Sequence, residues 1–159
     1  MKPNYTSITG IKNLSKEDIN YILDLAEKLE PIIQGKSQLR PLKDKVLCTF
    51  FYEPSTRTQN SFKSAMYRLG GQTLGFANPK DSSVAKGETL ADTIRMISCY
   101  ADICAMRHPK EGAPLVASMA SNIPVINAGD GGHYHPTQTL ADKEFQMLRS
   151  ASLDILTHL

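Results

Sequence analysis

No apolar run in the 159 residues approaches the length of a membrane span, and the first residues lack the core of a signal peptide. Neither a membrane-spanning segment nor a secretory leader is therefore expected. An excess of one charge is also missing. Eighteen Lys and Arg against 16 Asp and Glu leave a formal charge of +2, too small and too dispersed to argue for nucleic acid or a membrane surface. Cysteine is scarce, and Cys48, Cys99 and Cys104 show no metal-type spacing. In apolar surroundings they read as reduced core thiols of a cytoplasmic protein. Neither Gly-x-x-x-x-Gly-Lys-Ser/Thr nor Gly-x-Gly-x-x-Gly occurs, which leaves nucleotide binding little support. There is no internal repeat and no low-complexity segment. What is present is globular in balance, at 41% hydrophobic and 21% charged, and long enough for one sizeable core.

Helical and strand patterns alternate along the chain. Ser15, with Asp18 three residues on, opens a helix in which Ile19, Ile22, Leu23, Ala26 and Leu29 recur at helical spacing before Pro31. Val46 to Phe51 is a strand-length apolar run. A helix follows from Ser55, with Phe62, Ala65, Met66 and Leu69 on one face, and ends at Gly70-Gly71. Gln72 to Ala77 reads as a second strand and Asn78 to Gly87 as a polar loop. Glu88 to Tyr100 reads as a helix with Leu90, Ile94 and Ile97 inward. Asp102 to Met106 is a third strand, Glu111 to Ala120 a helix, and Pro124 to Ala128 a fourth strand. Such alternation predicts an α/β fold with three layers, a four-stranded parallel sheet flanked by helices.

In such folds ligands gather beyond the carboxyl ends of the strands. Glu53-Pro54-Ser55-Thr56, Arg107-His108-Pro109 and Gly129-Asp130-Gly131-Gly132 each follow a strand and are expected to face one crevice. At the first of these, three hydroxyls (Ser55, Thr56, Thr58) and Arg57 meet a helix N-terminus. Free first-turn N–H groups and the positive dipole end suit an anion, and a guanidinium suits phosphate oxygens. Ser55 or Thr56 reads equally well as a plain helix cap. Arg107 reads either as a group over the sheet edge or as an ordinary surface arginine. His135 and Gln138, a turn apart at the start of the last helix, read either as site residues or as a cap and a solvated amide. Ser82 and Lys86 lie in the polar loop, where a solvated role is the plain alternative. His133 and His135 make a His-x-His pair with no third ligand evident, so no metal is expected.

Taken together, five ordered motifs resemble one family. Phe51-Tyr52-Glu53-Pro54-Ser55-Thr56-Arg57-Thr58 is similar to the carbamoyl phosphate motif of the aspartate and ornithine carbamoyltransferases. The segment from Ser82 to Thr93, Arg107-His108-Pro109-Lys110-Glu111-Gly112, the segment from Asn127 to Gly132, and His135-Pro136-Thr137-Gln138-Thr139-Leu140 resemble its aspartate branch. The resemblance implies that Ser55, Thr56, Arg57 and Thr58 hold the phosphate. It implies that Arg107, His135 and Thr58 polarise the carbamoyl carbonyl and that Gln138 accepts from the carbamoyl amide. Ser82 and Lys86 would enter a neighbouring subunit's site, which requires an oligomer, a homotrimer in the family. The reaction implied is attack of the L-aspartate amine on the carbamoyl carbon, in pyrimidine biosynthesis, without a metal or other cofactor.

Two departures are modest: Gln59 stands where the family often has arginine, and Tyr52 where it often has phenylalanine. A larger one follows Leu140. Residues 1–140 correspond to a carbamoyl-phosphate-binding domain, whereas the aspartate-binding domain expected next is not in this sequence, so L-aspartate would bind only if a second domain is supplied. Residues 141–159 instead carry Phe145, Leu148, Ser152, Ile155 and Leu159 at alternating spacings of four and three, which predicts one long C-terminal helix packing on the same domain. The alternative function is a non-catalytic module that binds carbamoyl phosphate or phosphate and serves trimer assembly or regulation.

Overall fold

A computed structural model describes residues 6–75, 87–132 and 134–142. Helix α1 (Lys16–Ile33) begins with the capping box that its sequence announces: Ser15 Oγ accepts from the Asp18 N–H and Asp18 Oδ2 accepts from the Ser15 N–H, each at 3.1 Å. Pro31 sits in its last turn. Strand β1 (Val46–Phe51), helix α2 (Thr56–Arg68) and strand β2 (Gln72–Gly75) follow. Helix α3 (Leu90–Ile97), strand β3 (Ile103–His108), helix α4 (Ala113–Ala120) and strand β4 (Val125–Asp130) come next. A further helix, α5, is described over 136–142. The residues expected to extend β2 to Ala77, the polar loop as far as Lys86, and the C-terminal helix beyond 142 lie outside the described residues.

The four strands form one parallel sheet in the order β2-β1-β3-β4. Successive residues of β1 point to opposite faces. Cys48 and Phe50 pack with Ile94, Ile97 and Ala117 of α3 and α4, while Leu47 and Phe51 pack with Met66 of α2. Both faces are thus covered by helices, which is why β1 reads as an unbroken apolar run rather than as an alternating one. This is the three-layer α/β arrangement. The N-terminal segment closes the β4 edge, where the Ile8 N–H donates to Val125 O at 3.0 Å and the Asn127 N–H to Ile8 O at 2.9 Å. Among the described residues no helix is long and apolar enough to cross a membrane.

Three expectations change. Cys99 is exposed rather than a core thiol, because α3 ends at Ile97 instead of running from Glu88 to Tyr100, and Cys99 falls in the turn beyond it. Cys48 and Cys104 are buried side by side in register. Strands β3 and β4 each run two residues further than their apolar runs, so Arg107 and Asp130 belong to strands and not to the loops after them. Their polar side chains find partners at the sheet end, which the apolar pattern does not report. Within α1 only Leu23 and Ile32 are buried, and Ala26 is exposed.

Ile94, with no exposed surface, joins α3 to the sheet. Ile94→Ala is expected to cost about 2–5 kcal/mol, measured as a lower denaturant midpoint with an unchanged slope.

Candidate functional site

The strand order creates a switch point. From β1 the chain crosses outward to β2, returns past β1 to β3, and continues to β4. The carboxyl ends of β1 and β3 are neighbours, with Phe51 beside Arg107, yet their connections leave on opposite faces of the sheet. A crevice opens there. It holds a cavity of about 710 Å³ lined by Ser55, Arg57, Thr58, Ser61, Arg107, His135, Thr137, Gln138 and Ala141.

One wall is the start of α2. Ser55 occupies the cap position in extended conformation, but its side chain makes no cap hydrogen bond. Its hydroxyl instead meets Thr58 Oγ1 at 3.0 Å. By contrast, Ser15 and Thr89 both accept from N–H groups of the helices they open. The first-turn N–H groups of α2 are therefore left without a side-chain cap, beside Arg57 and facing a polar cavity. Uncapped donors, a dipole end and a cation make an anion seat.

The opposite wall is Arg107 and His135. Arg107 Nη1 donates to Ala128 O at 3.1 Å, and Nη2 lies 3.3 Å from Glu53 Oε2. The second contact is an ion pair without hydrogen-bond geometry, so Glu53 Oε2 and Arg107 Nε have no hydrogen-bond partner among the described residues. Gly129 lets the guanidinium pass: its φ is +119°, and a Cβ built there would overlap Arg107 Nη1 and stand 3.5 Å from His135 Cδ2. The His135 pKa lies below the ordinary 6.5, first because the ring is partly buried and second because Arg107 is close. The ring is consequently neutral near pH 7. Its Nδ1 meets Thr137 Oγ1 at 3.3 Å. His108, on the far side of β3 against Tyr52, accepts the Lys110 N–H at 2.9 Å, and burial lowers its pKa as well.

The structure brings Ser55, Arg57, Thr58, Arg107, His135 and Gln138 to one cavity. Thr56 is exposed and does not line it. Gln138 Nε2 donates to Asp142 Oδ1 at 2.9 Å. Ser82, Lys86 and His133 lie outside the described residues, and among the described ones no cluster of metal-ligating side chains occurs. Sequence reasoning gave no role to Glu53, Ser61, Thr137 or Gly129. Glu53 becomes a partner of Arg107 only because β1 adjoins β3, an order that hydrophobic periodicity does not encode.

A family model described as the carbamoyl-P binding domain of aspartate/ornithine carbamoyltransferase matches residues 6–145. The chain belongs to this family. It is 63% identical over 136 residues to the aspartate carbamoyltransferase catalytic subunit of Clostridium acetobutylicum, covering 86% of this chain and 44% of that one. The corresponding subunit of Lachnoclostridium phytofermentans is 62% identical over 130 residues, covering 82% and 42%. Among solved structures, the catalytic subunit of M. jannaschii aspartate transcarbamoylase superposes with a TM-score of 0.86 at 51% identity, covering 92% of this chain and 48% of that one. Aspartate transcarbamoylase from Trypanosoma cruzi in complex with carbamoyl phosphate and aspartate gives 0.80 at 40% identity, covering 87% and 46%. This carbamoyl-P binding domain thus spans less than half the length of the curated relatives it matches.

Gly129→Ala is expected to destabilise the domain by more than about 1 kcal/mol, because the new Cβ meets both a left-handed backbone and the Arg107 guanidinium. Gly132→Ala, with nothing within 4 Å of a new Cβ, is expected to be near neutral in the same denaturant titration.

Proposed function

We propose that this domain is the carbamoyl-phosphate half of an aspartate carbamoyltransferase, and that the cavity between α2 and β3 is the carbamoyl phosphate site. The observation carrying this reading is the uncapped N-terminus of α2 facing Arg107 and a neutral His135 across one cavity. In this reading the phosphate sits on the first-turn N–H groups of α2, held by the side chains of Ser55, Arg57 and Thr58 and by Thr56 through its backbone N–H. Arg57 supplies a planar donor fork. The carbamoyl group then points toward Arg107, His135 and Gln138.

The chemistry follows from charge development. The amine of L-aspartate attacks the carbamoyl carbon, and negative charge builds on the carbonyl oxygen in the tetrahedral transition state. Donors fixed where that charge appears stabilise it selectively. Arg107 and Thr58 are two such donors. Thr137 donating to Nδ1 would place the His135 ring proton on Nε2, making a third. Gln138 accepts from the carbamoyl amide and sets its orientation. The carbon–oxygen bond to phosphate then breaks, the amine gives up its proton, and inorganic phosphate leaves. Positioning and electrostatics carry the reaction, with no metal or covalent enzyme intermediate. Glu53 holds Arg107 at the cavity wall when no ligand is present.

The remaining parts of the reading come from the family. Ser82 and Lys86 act in trans in a neighbouring copy's site, the assembly is a homotrimer in the cytoplasm, and L-aspartate is held by a second domain. Full turnover requires that second domain. Carbamoyl phosphate binding requires only residues of this one and its neighbour.

Calorimetric titration separates the two walls of the cavity. Arg57→Ala is expected to weaken inorganic phosphate and carbamoyl phosphate alike, by about tenfold or more for a lost charge-assisted hydrogen bond. His135→Ala is expected to weaken carbamoyl phosphate while leaving inorganic phosphate nearly unchanged. Unaltered affinity in Arg57→Ala, or equal losses for both ligands in His135→Ala, would contradict the assignment.

A further inference from the structure

A buried polar pair at the end of β4 is not used by the chemistry above. Asn127 has no exposed surface and Asp130 is 2% exposed. Asn127 Nδ2 donates to Thr9 O at 3.0 Å and to Asp130 Oδ1 at 3.1 Å, and Asn127 Oδ1 accepts the Gly129 N–H at 2.8 Å. Asp130 Oδ1 accepts the Tyr134 N–H at 2.8 Å, and Oδ2 accepts the Gly112 N–H at 2.8 Å. A carboxylate withdrawn from water is costly unless its lone pairs are met. Here they are met by two backbone donors from separate segments and by the Asn127 side-chain amide.

We propose that Asn127 and Asp130 are a positioning clasp, fixing the backbone at Gly129 and Tyr134 so that Arg107 and His135 stand together at the cavity. By that placement they set the preference for carbamoyl phosphate over inorganic phosphate, a consequence that rests on the proposed function. The geometry acts at two points. Asn127 holds the Gly129 N–H, and Gly129 is the residue whose missing Cβ leaves room for the Arg107 guanidinium. Tyr134 is held from both sides, since its N–H donates to Asp130 Oδ1 and its carbonyl accepts the Asp130 N–H at 3.2 Å. The turn from Asp130 to Tyr134 is thereby closed, and the next residue is His135. Asp130 also accepts the N–H of Gly112 at the start of α4, so the turn is referenced to that helix and not to solvent. Only two residues separate Asn127 from Asp130, yet the pair governs a histidine five positions beyond it.

The variant Asp130→Asn keeps the shape but sets an NH₂ group against one of the donors that the carboxylate meets. The first readout needs no ligand: NMR titration of the His135 ring in the full chain. The groups facing that ring are Arg107 on β3, Arg57 across the cavity, Glu53 beside Arg107, and Thr137. In the wild type its pKa lies below 6.5. In folded Asp130→Asn it is expected to rise toward 6.5, as the ring leaves Arg107 and its partly buried place. An unchanged titration in a folded variant overturns the clasp, since a role confined to stability would not move it.

The second readout is calorimetry with carbamoyl phosphate and with inorganic phosphate. A loss of about tenfold for the first and less than about threefold for the second is expected, with no further loss when Asp130→Asn is added to His135→Ala. Equal losses overturn the link to ligand preference. A wild-type chain that binds neither anion contradicts the proposed function, while the ring titration still decides the clasp. Should Asp130→Asn fail to fold, Asn127→Ser takes its place: it releases Gly129 but leaves both backbone bonds of Asp130. A His135 pKa unchanged in that variant overturns the clasp as well.

Discussion

The parallel pairing of β1 with β3 is the constraint on which the rest of the structure depends. It sets Phe51 beside Arg107 and so brings together two chain segments more than fifty positions apart. The pairing is held from both faces. Cys48, Phe50, Cys104 and Met106 are packed under α3 and α4, and Leu47, Phe51 and Ala105 under α2. Because both strands are buried on both sides, a slip of one residue would exchange the two packed faces. Register and site geometry are therefore the same fact seen from the core and from the crevice.

At the crevice the electrostatics are one-sided by design of the backbone and not only of the side chains. The α2 dipole, Arg57 and Arg107 all favour negative charge, while Glu53 supplies a counter-charge in contact with Arg107. His135 stays neutral next to that arginine. A cationic histidine there would add charge but no selectivity, whereas a neutral ring is a directed donor. The arrangement suits a ligand with a fully charged end and a polar, uncharged end, which is the chemistry of carbamoyl phosphate.

Much of this was legible in the sequence, and the reasons are specific. Strand and helix order followed from apolar runs and periodicity, and Ser15 with Asp18 announced its capping box. The hydroxyls and arginine of the proposed anion seat were legible as Ser55-Thr56-Arg57-Thr58, but whether Ser55 caps α2 was not. That depends on which way one hydroxyl turns, and in the structure it meets Thr58. The ends of β3 and β4 were read two residues short because Arg107, His108, Gly129 and Asp130 are polar or lack a side chain. Their strand geometry is held by tertiary bonds rather than by pattern. The roles of Glu53, Asn127 and Asp130 were illegible for a related cause: each acts on residues that adjoin it only after the strands are ordered. Cys99 escapes the pattern because local apolar composition does not report that α3 stops at Ile97, which leaves the thiol in an exposed turn.

The most direct test of the anion seat is the response of the Thr56, Arg57 and Thr58 backbone amides in ¹⁵N-labelled chain titrated with carbamoyl phosphate. Saturable shifts of these three amides, moving together with the His135 ring and the Gln138 side-chain amide, are the expected result. Binding that shifts other regions and leaves the first turn of α2 unmoved would contradict the seat and the function drawn from it.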